Sequence, residues 1–158
     1  MEAKNGIDEL DRQIIAELQV DGRMPFTEIA RRLSTAEGTV RNRVGRLQRR
    51  GVLQVVGVIA PLQLGMRRVL IGIRVRGHAV AEVERALHGL DEVDYVAVTT
   101  GAYDVVIMAA CADEDHVARL VTETLRSIPG VDALDVVTML RETKDAYRYL
   151  PGRGSSPA

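Results

Sequence analysis

Residues 35 to 51 read TAEGTVRNRVGRLQRRG. Val40, Val44 and Leu47 recur at i, i+4 and i+7, so a helix here has one apolar face, while Thr39, Arg41, Asn42, Arg46 and Arg49 project elsewhere. Such a helix buries one side and offers the other. From Arg31 to Arg50 there are seven arginines and one acid, Glu37, a local balance of +6 in a chain whose net charge is −1. That contrast fits a surface facing a polyanion, and it also fits a solvated amphipathic helix.

The upstream residues bear on the choice. Asp8 and Asp11 stand where carboxylates favour a helix N-terminus, and Leu10, Ile14 and Leu18 then recur every four residues until Gly22. Pro25 opens a second, short helix with Phe26, Ile29, Ala30 and Leu33 on one face. A turn around Ser34 and Thr35 leads into the arginine-rich helix, which Gly51 stops. Three short helices with a tight second connection, the last loaded with arginine, describe a helix-turn-helix rather than a plain bundle.

Composition narrows the partner. The 158 residues, 46% of them apolar, suffice for one ordinary domain or two small ones. The start MEAKNG has no apolar signal-like run after it, and no apolar stretch approaches the roughly 18 residues a membrane span needs, so a cytoplasmic location without membrane contact is expected. The single cysteine, Cys111, lies in the apolar run VVIMAAC and reads as a buried structural thiol. With no Trp and one Phe, there are few platforms for stacking single-stranded bases, which favours double-stranded DNA over RNA. Residues 1–57 carry ten basic and eight acidic side chains, and residues 58–158 carry eleven and fourteen, an asymmetry that suggests two jobs.

From Val52 the pattern becomes extended, VLQVVGVIA, and breaks at Pro61; a strand and linker are expected. Beyond it the chain repeats at an offset of 38, matching Val69 with Ile107, Val83 with Val121, Leu87 with Leu125, Leu90 with Ile128, Val93 with Val131, Asp94 with Asp132 and Val98 with Val136. Each half reads strand, helix, strand: 68–76, 79–89 and 93–100, then 104–111, 114–127 and 131–141. The sum is βαββαβ, a ferredoxin-like arrangement with both helices on one sheet face. The runs Val96–Val98 and Val136–Met139 look too apolar for water on the other face, so self-association through it is expected. Gly101-Ala102 reads as a two-residue hairpin loop of type II′.

Leu10-Asp11-Arg12, LQVDGR from Leu18 to Arg23, the pair Glu28 and Ala30, and TVRNRVGRLQRRGVL from Thr39 to Leu53 resemble the N-terminal half of the Lrp/AsnC (feast/famine) transcription regulators. Gly101-Ala102-Tyr103-Asp104 is similar to the Gly-x-Tyr-Asp of their C-terminal domain, and Pro129-Gly130-Val131 to the turn before its last strand. The resemblance spans roughly residues 7 to 145. It departs at the turn, where the family usually has Gly-Leu-Ser and this chain has Ser34-Thr35-Ala36; the family serine is an N-cap, and Thr35 is expected to cap one residue early.

The resemblance implies roles. Thr39, Arg41, Asn42 and Arg46 would face the major groove, Asn42 reading adenine and an arginine reading guanine, while Arg43, Arg49 and Arg50 would contact phosphate or pack the helix. Thr99, Thr100, Gly101, Tyr103 and Asp104 would hold a small effector, an amino acid above all, with loop N–H groups for its carboxylate and Asp104 for its ammonium. From the residues alone, Gly101 and Asp104 also fit a purely structural turn. The expected fold is α+β: a winged or three-helix helix-turn-helix domain over residues 1–57, a linker at 58–66, a ferredoxin-like effector-binding and oligomerisation domain over 67–145, and a flexible tail at 146–158. The assembly would be a dimer or a higher oligomer, up to an octamer.

No phosphate-cradling glycine loop, metal-spaced His/Cys set or nucleophile elbow is present, so no catalytic residue, metal or cofactor is expected. His78, His88 and His116 share no helical or strand spacing. Sirohaem decarboxylases resemble the same two-domain architecture, but the segment that carries their histidine and arginine corresponds here to Tyr95–Asp104, which has neither. An architectural, chromatin-like DNA binder without effector shares every feature of the first half.

Overall fold

The computed structural model describes residues 6–144, so the expectation for the tail at 146–158 lies outside the described residues. The chain divides into two units, one running to Val58 and the other from Ile59 to Lys144.

The first unit is three helices: α1 (Glu9–Val20), α2 (Phe26–Arg32) and α3 (Glu37–Arg49). α1 begins with a reciprocal cap, in which the Asp11 N–H donates to Asp8 Oδ1 at 2.9 Å and the Asp8 N–H donates to Asp11 Oδ2 at 3.1 Å. Ile14, Ile29, Val40 and Leu47 are fully buried and close one core with Leu18, Met24, Leu33 and Val44. Of the winged and three-helix forms, the three-helix form is found among the described residues.

α3 ends in a paired hydrogen-bond stop: the Gly51 N–H donates to Gln48 O and the Val52 N–H to Leu47 O, with Gly51 at φ +67°. Its start differs from expectation. The N-cap is Ala36, which has no side-chain acceptor, so the helix start carries no side-chain cap and Thr35 is not the N-cap; the Thr35 N–H donates to Ala30 O. Ser34, where the family usually has glycine, adopts φ +51°.

Beyond Leu53 the expected strand is absent. Gln54–Ala60 forms no sheet ladder among the described residues, and Val55, Val56, Val58 and Ile59 lie exposed. An extended stretch becomes a strand only when another edge takes up its backbone groups.

A single 3₁₀ turn, Pro61–Leu64, leads into the second unit: β1 (Arg67–Val75), α4 (Val80–Leu87), β2 (Val93–Val98), β3 (Val105–Cys111), α5 (Glu114–Arg119) and β4 (Val131–Thr138). The sheet is antiparallel in the order β2-β3-β1-β4. Val69, Ile71 and Ile73 of β1 and Val105, Ile107, Ala109 and Cys111 of β3 alternate toward the helices and are fully buried with Val83, Leu87, Leu120 and Leu125. Burial pushes the Cys111 thiol up, as befits an inert core sulfur.

The 38-residue repeat slips at α5. Leu120 and Leu125 stand five apart yet both enter the core, because Leu120–Leu125 is wound as a π turn; Val121, the match of Val83, is only half-buried. Among the described residues, no helix is long and apolar enough to cross a membrane.

Candidate functional site

At 100° per residue, the face of α3 opposite Val40 and Leu47 is centred on Gly38, Asn42, Gly45 and Arg49, with Arg41 on one flank and Arg46 on the other. Asn42, Arg41 and Arg49 are exposed. The Arg41 guanidinium sits 5.5 Å from the Phe26 ring centre and pairs with Glu37 at 2.5 Å, which holds the head beside α2 with most of the side chain still exposed. Thr39 is half-buried on the flank.

Arg46, expected to face the groove, pairs with an acid of α1 while 42% of its side chain stays exposed. Its Nη2 donates to Asp11 Oδ2 at 2.5 Å, and Asp11, which has no exposed surface, also accepts from Arg43 Nη1 at 3.0 Å. Arg43 Nη1 further reaches both Asp8 oxygens at 2.6 Å and holds the Asp8 carboxyl below the usual carboxylate range. The Arg46 Nε is buried with no hydrogen-bond partner among the described residues. A buried carboxylate needs its cations, so Arg43 and Arg46 dock α3 onto α1. The sequence signal was available: Asp11 recurs on the apolar side of α1, one residue after Leu10 and three before Ile14.

Arg49, assigned above to phosphate or packing, stands at the centre of the outward face. Arg50 donates to Gly6 O at 3.1 Å.

In the second unit, Thr99–Asp104 is a six-residue loop between β2 and β3, not the expected two-residue hairpin. It closes on itself through the Thr99 N–H to Asp104 O at 2.9 Å and the Thr99 Oγ1 hydroxyl to Tyr103 O at 2.8 Å. Asp104 also ties the loop to β1: its N–H donates to Ile73 O at 3.0 Å, and its Oδ2 accepts from the Val75 N–H at 2.7 Å, where the β1–β4 register shifts. Thr100 and Gly101 form the exposed tip, and Gly101 has φ +113° with open space around its Cα. Tyr103 lies flat against Gly72, where an added Cβ would meet the ring at 2.6 Å.

The structure thus gathers Thr99, Tyr103 and Asp104 into one clamp and leaves Thr100 and Gly101 outside it. Gly72 and Val75 belong to the same clamp and were missed. A glycine inside the strand run VLIGIRV was the signal for the first. Among the described residues, no group of His, Cys, Asp and Glu could hold a metal ion.

The comparisons identify both domains. The AsnC-type helix-turn-helix domain matches residues 7–48, and the Lrp/AsnC ligand binding domain matches residues 68–149. An HTH-type transcriptional regulator of Pyrococcus abyssi is 35% identical over 143 residues, covering 89% of this chain and 90% of its own. The regulator Ptr1 of Methanocaldococcus jannaschii is 34% identical over 144 residues, covering 90% and 97%. The solved structure of Escherichia coli AsnC superposes with a TM-score of 0.75 at 25% identity, covering 88% of this chain and 95% of that one. Mycobacterium tuberculosis LrpA shares the fold with a TM-score of 0.81 at 24% identity, covering 91% and 99%. These domains and relatives are those of regulators, not enzymes, and the chain belongs to the Lrp/AsnC family of DNA-binding transcriptional regulators.

Proposed function

We propose that this regulator reads specific operator sequences with the outward face of α3 and that its second unit pairs copies and senses a small metabolite. The observation that carries the reading is the exposure of Asn42, flanked by Arg41 and Arg49, on the face opposite the Val40–Leu47 core. Asn42 suits a bidentate contact to adenine, and an arginine suits guanine. Gly38 and Gly45 on the same face lack side chains that would hold the helix away from the groove floor. Arg43 and Arg46, through Asp11 of α1, set the pose of α3.

Pairing rests on the sheet face away from the helices. Leu70, Val106, Met108, Ala97 and Val137 share that face by register with Gly72, which the Tyr103 ring covers; no helix of the unit packs on it among the described residues. Regulators of this build bind two half-sites as dimers. The loop at Thr99–Asp104 supports the effector role through its exposed tip; the Asp104 carboxylate already serves the Val75 N–H, so an ammonium would share it.

Competition binding of the full-length protein to operator and random DNA tests the first claim. Asn42→Ala is expected to cost about 1 to 3 kcal/mol on the operator and nothing on random DNA. Equal loss on both would mean that α3 is turned differently in the groove. A thermal-shift screen of the twenty amino acids tests sensing: a ligand at 100 times its Kd raises stability by about 2.7 kcal/mol. An absence of any response favours the architectural, effector-free reading.

A further inference from the structure

Seven arginines lie between Arg31 and Arg50, and the fold engages six of them. Arg31 and Arg32 pair with Glu28, Arg41 with Glu37, Arg43 with Asp8 and Arg46 with Asp11, and Arg50 donates to Gly6 O. Arg49 alone of the seven has neither an ion pair nor a hydrogen bond among the described residues. The one guanidinium left without a partner is therefore the one at the centre of the outward face of α3.

Its head does not stand straight out from the last turn. A Cβ built on Gly45 would meet Arg49 Nη1 at 3.3 Å, so the side chain lies back over Gly45, one turn toward the helix N-terminus. That is closer than a Cβ usually tolerates, and glycine supplies the room. Asn42, Gly45 and Arg49 follow one another at spacings of three and four along a single line of the helix. The guanidinium thus sits between Asn42 and its own backbone, with Gly45 about 4.5 Å beyond Asn42 along the axis.

We propose that Arg49, seated by Gly45, is the guanine-reading residue of this regulator, so that its site carries a guanine one or two base pairs from the adenine read by Asn42. The inference rests on the reading of α3 given above and assigns the second base contact within it. Position in the groove decides between base and phosphate. A helix with its side chains is about 10 to 12 Å across and the major groove about 12 Å wide, so the flanks of α3 meet the walls and its central line meets the floor. A recognition helix reads bases mainly with its N-terminal residues, and an arginine extended from the last turn would pass beyond them. Folded back over Gly45, the same guanidinium enters the stretch that Asn42 occupies. Its planar fork, with no acid competing for it, matches O6 and N7 of guanine. At about 3.4 Å per base pair, about 4.5 Å of helix axis corresponds to one or two steps. Arg41 and Arg46 would have to give up Glu37 or the buried Asp11 to make the same contact.

The test selects bound sequences from a random duplex DNA library with full-length protein and repeats the selection with variants. Wild type is expected to enrich an adenine with a guanine one or two base pairs away. Arg49→Ala is expected to lose the guanine and keep the adenine, and to weaken the wild-type site at least fivefold more than random DNA. Asn42→Ala is expected to do the reverse, losing the adenine and keeping the guanine. Gly45→Ala is expected to reduce the guanine preference without lowering the melting temperature, because alanine suits a helix better than glycine, and to have no further effect on that preference in Arg49→Ala. The proposal is overturned if Arg49→Ala weakens both DNAs equally with the guanine retained, which would make Arg49 a phosphate contact. It is equally overturned if Gly45→Ala leaves the guanine preference at wild-type strength, or if no guanine is enriched beside the adenine. In each of these cases an adenine lost in Asn42→Ala would leave the wider reading of α3 standing. Should neither Asn42→Ala nor Arg49→Ala alter the selected sequence, the outward face of α3 is not the reader, and both readings fall together.

Discussion

Asp11 shows how much one side chain decides. It has no exposed surface, caps α1, and takes one guanidinium from Arg43 and one from Arg46. Asp11→Ala leaves two cations facing a vacated site and is expected to destabilise the first unit by about 3 to 5 kcal/mol, read from urea denaturation. Arg46→Ala should likewise lower stability, and its loss of operator affinity should vanish when binding is corrected for the unfolded fraction. The sequence showed that α3 is arginine-rich and amphipathic, and the family resemblance set Arg46 toward the groove; its pairing with Asp11 was not legible, because position on a helix gives only an angle. A long side chain can turn back toward a buried acid on another helix, and no spacing within α3 records that. The start of α3 carries a second residue-scale prediction. Ala36 caps without an acceptor, so Ala36→Ser is expected to add about 1 kcal/mol by thermal or urea melts. Ser34 at φ +51° stands in a region glycine occupies without strain, so Ser34→Gly should be neutral or stabilising despite the added freedom of the unfolded chain.

Elements respond through their shared contacts. On α2, Glu28 accepts from both Arg31 and Arg32, which hold its carboxyl down to about 2 from an ordinary 4.5. A carboxylate depressed in the folded state contributes stability that is full above its unfolded value and fades as pH falls through its folded one. The Glu28 contribution is therefore expected to be complete above about pH 4.5 and lost toward pH 2, a loss absent in Glu28→Gln when melting temperature is followed against pH. On β1, Gly72→Ala puts a Cβ into the Tyr103 ring and is expected to displace the Thr99–Asp104 loop, seen as altered Tyr103 resonances with the sheet intact. Helices and strands were legible from periodicity because burial repeats with the backbone. The π turn was not legible, since an ungapped repeat hides a one-residue change in winding. Nor was the missing strand at Gln54–Ala60: alternation and β-branching describe a chain that suits a ladder, while the ladder itself depends on what lies alongside.

For the whole molecule, the proposed pairing through the open sheet face predicts that Met108→Arg, which sets a charge at the middle of that face opposite Leu70, converts the assembly to monomers in sedimentation and weakens binding to a two-half-site operator far more than to a single half-site. Half-sites should lie about 34 to 36 Å apart or a multiple of that. Unchanged sedimentation would move the interface elsewhere.

The two cores share no residue, and they follow one another along the chain. Synthesis runs from the N-terminus at roughly 5 to 20 residues per second, so the helix-turn-helix can close about 4 to 16 seconds before Thr138 is made. Through that interval β1, destined for the middle of the sheet between β3 and β4, has an open edge. While still attached to the ribosome, the nascent regulator therefore carries a folded first unit and an adhesive, half-built sheet, and crowding of ribosomes on one message is the condition under which neighbouring copies would meet by that edge before the last strand seals it.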